Sequence, residues 1–151
     1  MHNDHTYRIL LVEDNPADAE LTAEAIQFAG LKVDLDVSNS VEQALAMLRR
    51  EEGYEKHPRP DLILMDLNLP RREGREGIRE IKDDPFLRTI PVLIMSSSQA
   101  ITDVRDSYAL HANGYIVKPV DFERFVHLLQ QINIFWFEAA TLVPNTDKDR
   151  L

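Results

Sequence analysis

The sequence contains no cysteine. Disulfides, thiolate metal sites and cysteine nucleophiles are therefore excluded, and the absence fits a reducing compartment, expected here to be the cytoplasm. No apolar run approaches the ~20 residues that a membrane-spanning helix requires. The opening residues Met1-His2-Asn3-Asp4-His5 lack the apolar stretch of a signal peptide. Positive charge is also scarce: 17 Lys and Arg face 26 Asp and Glu, a formal net charge of −9. That balance reads against nucleic acid or an anionic membrane as a direct partner. There is no internal repeat, and 151 residues suit one domain with one core.

Strand and helix signals alternate along the chain. Arg8–Val12 is an apolar strand, and Asp14-Asn15-Pro16 opens a helix with an Asx cap and a proline in the first turn. Ala17, Leu21, Ala25 and Phe28 share one helical face, with Gly30 as the stop. Val33, Leu35 and Val37 alternate with Asp34 and Asp36, the pattern of a strand nearer the sheet edge. Ser40-Val41-Glu42-Gln43 reads as a capping box, and the helix it opens is carried to Gly53. Asp61–Asp66 and Pro91–Met95 are short strands buried on both faces. A helix from about Gly74, a helix marked by Ile101, Val104, Tyr108 and Ala112, and a strand Tyr115–Val117 follow. Asp121 caps a last helix expected to run to about Leu142. Five βα units predict an α/β fold, a five-stranded doubly wound parallel sheet with helices on both faces. Residues 1–6 read as a disordered leader, 7–143 as the folded domain and 144–151 as a flexible tail. His2 and His5 fall in the leader.

In an open parallel sheet the C-terminal strand ends share the edge where ligands bind. Here those ends carry Glu13 and Asp14, Asp66, Ser96 and Lys118. Three carboxylates within ~5 Å repel by ~3 kcal/mol per pair at an effective dielectric of 20. A divalent cation and an ammonium relieve that repulsion, and Mg²⁺ prefers one or two carboxylates plus water and phosphate oxygens. Asp66 is then placed to act as a nucleophile toward phosphorus, forming an aspartyl phosphate. Phosphoryl transfer depends mostly on positioning and charge neutralisation, for which the cation, Lys118 and the Ser96 hydroxyl would each take one phosphoryl oxygen. Taken singly, these residues have plain readings: a strand-end carboxylate for Asp66, a surface lysine for Lys118, core for Tyr115, surface positions for His111 and His127, and a solvated pair for Arg71-Arg72.

Val12-Glu13-Asp14, Leu64-Met65-Asp66-Leu67-Asn68-Leu69-Pro70, Ile90-Pro91-Val92-Leu93-Ile94-Met95-Ser96 and Gly114-Tyr115-Ile116-Val117-Lys118-Pro119 resemble the motifs of response-regulator receiver domains. The resemblance runs from about Arg8 to Asn133 and implies the flavodoxin-like (βα)5 receiver fold. More narrowly, Arg59–Leu64, Pro70–Glu76, Ser107–Asn113 and Phe135-Trp136 look like the single-domain regulators paired with cyanobacterial phytochromes. The resemblance implies that Asp66 accepts a phosphoryl group from a histidine of a sensor kinase, here one of phytochrome type. It implies Mg²⁺ held by Glu13, Asp14, Asp66 and the backbone carbonyl of Asn68, phosphoryl contacts from Ser96 and Lys118, and a switch made of Ser96 and Tyr115. The family has a cis bond at the position of Lys118-Pro119, which an X-Pro bond permits and the sequence does not decide. Two departures stand out: Glu13 where many members have Asp, and Ser96 for the commoner Thr, which keeps the hydroxyl and loses a methyl.

The last helix carries more apolar surface than one core face uses. Phe122, Phe125, Leu129, Ile132 and Trp136 form the core stripe, Leu128 and Phe135 widen it on one side, Val126 and Phe137 on the other, and Ile134 faces away. Leu128, Phe135 and Phe137 are therefore expected at an interface, as in a homodimer. The expected function is a signalling switch rather than an enzyme. The alternative, a Mg²⁺-dependent hydrolase using the same aspartyl phosphate, wants an acid two residues after the nucleophile, where Asn68 cannot serve. A flavodoxin-like cofactor binder would want a Gly-, Ser- or Thr-rich loop where this chain has Glu13-Asp14-Asn15-Pro16. Length and the missing basic domain read against a DNA-binding regulator.

Overall fold

The inner strands of the central sheet have both faces covered, and the alternation of their side chains decides which helices they meet. The computed structural model describes residues 6–51, 53–66 and 71–144, with only the backbone of 71–73. Five strands, β1 (Tyr7–Val12), β2 (Val33–Ser38), β3 (Leu62–Asp66), β4 (Val92–Ser96) and β5 (Gly114–Val117), alternate with helices α1 (Pro16–Phe28), α2 (Val41–Leu48), α3 (Arg71–Asp83), α4 (Ile101–Ala109) and α5 (Phe122–Ile132). All pairings are parallel, in the order β2-β1-β3-β4-β5. Leu10, Val12, Ile63, Met65, Val92 and Ile94 point to one face and pack with α2, α3 and Ala112. Ile9, Leu11, Leu62, Leu64, Leu93 and Met95 point to the other and pack with α1 and α5. This period-2 division between two apolar layers is the expected doubly wound sheet.

Helix starts follow the local chemistry. Asn15 Oδ1 accepts from the N–H groups of Ala17 and Asp18, and Asp121 Oδ1 accepts from Glu123 N–H. Ser40 Oγ accepts from Gln43 N–H at 3.0 Å, but the return bond of the expected capping box differs: Gln43 Oε1 takes the N–H of Asn39. Gly30 stops α1 in the left-handed region, at φ +71°. Helix α2 ends at Leu48, short of Gly53, and α3 begins at Arg71, ahead of Gly74.

The buried face of α1 is not the expected one. Ala19, Thr22, Ala25 and Ile26 are buried, whereas Leu21 and Phe28 are exposed. The Thr22 hydroxyl donates to the Asp18 carbonyl, so this polar residue is buried with its hydrogen bond made. Of the expected face only Ala25 is buried.

The last helix also departs from expectation. After Ile132 it becomes a π-helical turn, Asn133–Ala139, and ends there rather than near Leu142. Ala140 N–H donates to the Phe135 carbonyl, five residues back. The wider turn advances the buried stripe from Ile132 to Phe137. Phe137, expected on an exposed flank, is buried and stacks on Tyr7, and Trp136, expected in the core, is half-buried. Val126 is buried, Leu128 is half-buried, and Ile134 and Phe135 are exposed at 56% and 58%. No cis peptide bond occurs among the described residues, so Lys118-Pro119 is trans. No helix among them is long and apolar enough to cross a membrane. The leader 1–5, with His2 and His5, and the tail 145–151 lie outside the described residues.

Candidate functional site

Four strand ends bring the site together. β1 runs out at Val12, but Glu13 N–H still donates to the Ser38 carbonyl at 2.8 Å, which holds Glu13 under the sheet edge. β3 ends on Asp66, which is wholly buried, and Glu13 is only 3% exposed. β4 ends on Ser96, also buried, and its carbonyl accepts from Lys118 N–H at 2.8 Å. That bond fixes the lysine backbone beside the edge and leaves its side chain to reach across the strands. Lys118 Nζ donates to Asp66 Oδ2 and, at 3.3 Å, to Glu13 Oε1, and it lies 4.0 Å from Asp18 Oδ2.

The charged groups at this edge act on one another. Burial is the main reason the Glu13 carboxyl is raised from 4.5 to about 8, with the hydrogen bond and charge of Asp66 adding to it. Lys118 and the Asn15 N–H oppose that rise. Burial lowers the Lys118 ammonium, but the hydrogen bonds and charges of Asp66 and Glu13 outweigh it and raise the group above 10.5. Together these shifts describe a buried pocket whose carboxyl groups share one internal cation.

Oxygen atoms of Glu13, Asp18 and Asp66 lie within 4.8 Å of one another. An all-carboxylate donor set suits a hard divalent cation, so the residues present fit Mg²⁺ or Mn²⁺. Asp14, expected in this cluster, instead lies exposed on the lip of an open cleft of ≈550 Å³ that it lines with Glu13, Asn15, Pro16 and Asp18. The physical reason is the turn at Asn15: once that residue caps α1, the first helical turn brings Asp18 back to the edge while Asp14 stays in the turn. Asp18 is not among the sequence-predicted site residues. Its only signal is its place one helical turn after a strand-end acid. Asn68 lies outside the described residues.

Beside the carboxylates, Ser98 joins several parts. Its N–H donates to Ser96 Oγ at 3.1 Å, its carbonyl accepts from Tyr115 Oη at 2.9 Å, and its hydroxyl donates to Asp103 Oδ2 at 2.6 Å. Asp103 is buried, and Arg75 of α3 bridges it at 3.8 Å and Asp106 at 2.5 Å. Ser96 and Tyr115, both expected at the site, are thus tied through one residue that the sequence did not single out. Arg75 and Asp103 carry the connection to α3 and α4.

Fold and site together define an α/β receiver module with an acidic pocket at the C-terminal edge of its sheet. Residues 9–130 match the family described as response regulator receiver domain, and the chain belongs to that family. Response regulator Rcp1 of Synechocystis sp. is 41% identical over 134 residues, covering 89% of this chain and 91% of that protein. The phosphorylated cyanobacterial phytochrome response regulator RcpA superposes with a TM-score of 0.85 at 41% identity, covering 93% of this chain and all of that one. The Mn²⁺-bound form of Rcp1 superposes with a TM-score of 0.81 at 40% identity, covering 91% and 99%.

Proposed function

We propose that this protein is the response regulator of a phytochrome-type sensor histidine kinase and accepts a phosphoryl group on Asp66. The observation that carries this reading is a wholly buried strand-end aspartate paired with Lys118 beside Glu13. Membership of the family implies a histidine kinase partner and a signalling role rather than that of a turnover enzyme. The phytochrome link rests on the likeness to Rcp1 and RcpA.

In this reading an Asp66 carboxylate oxygen attacks phosphorus, the P–N bond to the kinase histidine breaks, and the imidazole leaves with the bonding pair. Lys118 turns its ammonium from carboxylate to phosphoryl oxygen, and the Ser96 hydroxyl meets another. Glu13 and Asp66, joined by Asp14 from the lip of the cleft and by the Asn68 carbonyl, would hold Mg²⁺, which would supply charge neutralisation and a template for the phosphoryl oxygens. As the Ser96 hydroxyl turns inward, the Ser98 N–H loses its acceptor, and the Tyr115 hydroxyl is bound to that same residue. Ser96 and Tyr115 therefore form the switch. Exposed Phe135 with half-buried Leu128 offers the surface for a homodimer; Phe137 belongs to the core. Residues 7–143 act as the receiver unit, with leader and tail outside it, and the protein works in the cytoplasm without direct contact to nucleic acid or membrane.

The test is incubation with acetyl phosphate and Mg²⁺ followed by intact mass. One added phosphoryl group is expected on the wild type and none on Asp66→Asn. Stoichiometric labelling of Asp66→Asn would overturn the assignment. The hydrolase reading requires repeated turnover of a small phosphate ester above ~1 s⁻¹, and no such turnover is expected.

A further inference from the structure

We propose that Asp18 is a positioning residue that takes the Lys118 ammonium when a divalent cation occupies the oxygens of Glu13 and Asp66. This inference rests on the reading of the Asp66 pocket as a cation-dependent phosphoacceptor site. It adds a residue, and an order of charge movements, to that reading.

Lys118 lies among three carboxylates. It donates to Asp66 and Glu13 and stands 4.0 Å from Asp18, too far for a hydrogen bond. A cation arriving at Glu13 and Asp66 meets the two carboxylates to which the ammonium is bound. Two positive centres cannot share those carboxylates without strong repulsion in a buried pocket. The ammonium must therefore move, but its backbone is tied to Ser96 through a 2.8 Å hydrogen bond, so the side chain alone can swing. Asp18 is the third carboxylate it faces, and a shift of about 1 Å brings the pair to charge-assisted hydrogen-bond distance.

The competing reading makes Asp18 an ordinary first-turn acid that complements the helix dipole. Such a role is satisfied by a side chain pointing into solvent. It does not place a carboxylate oxygen within 4.8 Å of those of Glu13 and Asp66, as Asp18 is placed. The environments differ in the way the proposal needs. The Glu13 and Asp66 side chains are 2% and 0% exposed, whereas that of Asp18 is 43% exposed. An ammonium held there is partly solvated, costs little to keep, and is free to return when a phosphoryl group adds negative charge at Asp66.

The experiment is calorimetric titration of the full chain with Mn²⁺, without any phosphodonor. Asp18→Asn should weaken Mn²⁺ binding by about 3- to 30-fold, toward the lower part of the range seen for residues that support metal ligands. Asp18→Glu should recover part of the loss. Glu20→Gln, an exposed acid on the same helix, should leave the affinity unchanged. In a Lys118→Ala background, where no ammonium has to move, Asp18→Asn should have no further effect. Equal losses from Asp18→Asn and Glu20→Gln would overturn the proposal in favour of general electrostatics. So would an undiminished loss in the Lys118→Ala background, because Asp18 would then serve the cation itself. Unchanged affinity in Asp18→Asn would overturn it outright. Failure of the underlying reading looks different: the wild type would bind no Mn²⁺, or Asp66→Asn would bind it as well as the wild type, and either result removes both claims.

Discussion

The ring of Phe137 stacks on that of Tyr7, with centroids 4.4 Å apart and planes 7° from parallel. The π-helical turn that follows α5 thereby closes over the first residue of β1. Phe137→Ala removes a buried aromatic and should destabilise the fold by about 3 kcal/mol. Phe135→Ala, two residues away on an exposed position, should change monomer stability by less than about 0.5 kcal/mol. Urea melts of the two variants check the contrast. Equal effects would mean that the π turn does not set the register.

The raised Glu13 carboxyl gives the cation-free protein a pH dependence of known sign. The unfolded chain loses this proton near 4.5, whereas the native state keeps it to about 8. Between those values the native state binds the extra proton, so stability falls as pH rises through the window. A bound divalent cation displaces the proton and should flatten the slope. Melting temperature should therefore drop from the acid to the alkaline end without metal, and drop much less with millimolar Mg²⁺. The Mg²⁺ stabilisation should shrink in Asp14→Ala. A melting temperature that climbs with pH in the absence of metal would contradict the burial of Glu13 as an acid.

Lys82 has a structural role far from the site. Its ammonium donates to the carbonyls of Arg88 and Ile90 and to Asn113 Oδ1, at 3.0, 2.8 and 2.9 Å. The same Asn113 oxygen accepts from Val92 N–H. Lys82→Met keeps much of the apolar stem but leaves these acceptors short of a donor, at a cost of about 2 kcal/mol. Chemical denaturation measures it, and a variant as stable as the wild type would show that water replaces the ammonium without penalty.

The clasp between α3 and α4 should bear on signalling as well as stability. Asp103→Asn keeps the shape of the buried acid but weakens its pairing with Arg75 and with the Ser98 hydroxyl. A loss of about 1–2 kcal/mol in stability is expected, with altered Tyr115 fluorescence or ring NMR shifts on phosphorylation. Unchanged Tyr115 signals in both states would separate the clasp from the switch.

Dimerisation should depend on Phe135. Sedimentation of unmodified and phosphorylated protein should show tighter association after phosphorylation, within the 5- to 150-fold that coupling of about 1–3 kcal/mol allows. Phe135→Ala should weaken both. A strictly monomeric protein in both states at high concentration would remove the interface.

What could be read from the chain was what depends on local pattern. Apolar runs ending in Asp66 and Ser96 mark strands buried on both faces, and strands so buried in a parallel sheet put their ends at one edge. Asn15, Asp121 and Gly30 announce helix ends through their own chemistry. The misses have one cause in common, since they depend on tertiary context that a periodic template ignores. Thr22 can be buried because its hydroxyl is satisfied within the helix, and Phe137 is buried because one turn is wider than α-helical. Asp18 returns to the edge only because the chain turns at Asn15. Ser98 is placed by hydrogen bonds to Ser96, Ala100, Asp103 and, 17 residues along the chain, Tyr115, none of which leaves a spacing to find.

The Tyr7–Phe137 stack also brings the beginning and the end of the described fold to one place. The order in which the elements are strung along the chain is thus separable from the way they pack. A circular permutant that joins the two ends near this ring pair and opens the polar connection around Gly53 would carry the same sheet, the same acidic edge and the same lysine. It would place new termini on the far side of α2, where a reporter could be attached without touching either the pocket or Phe135.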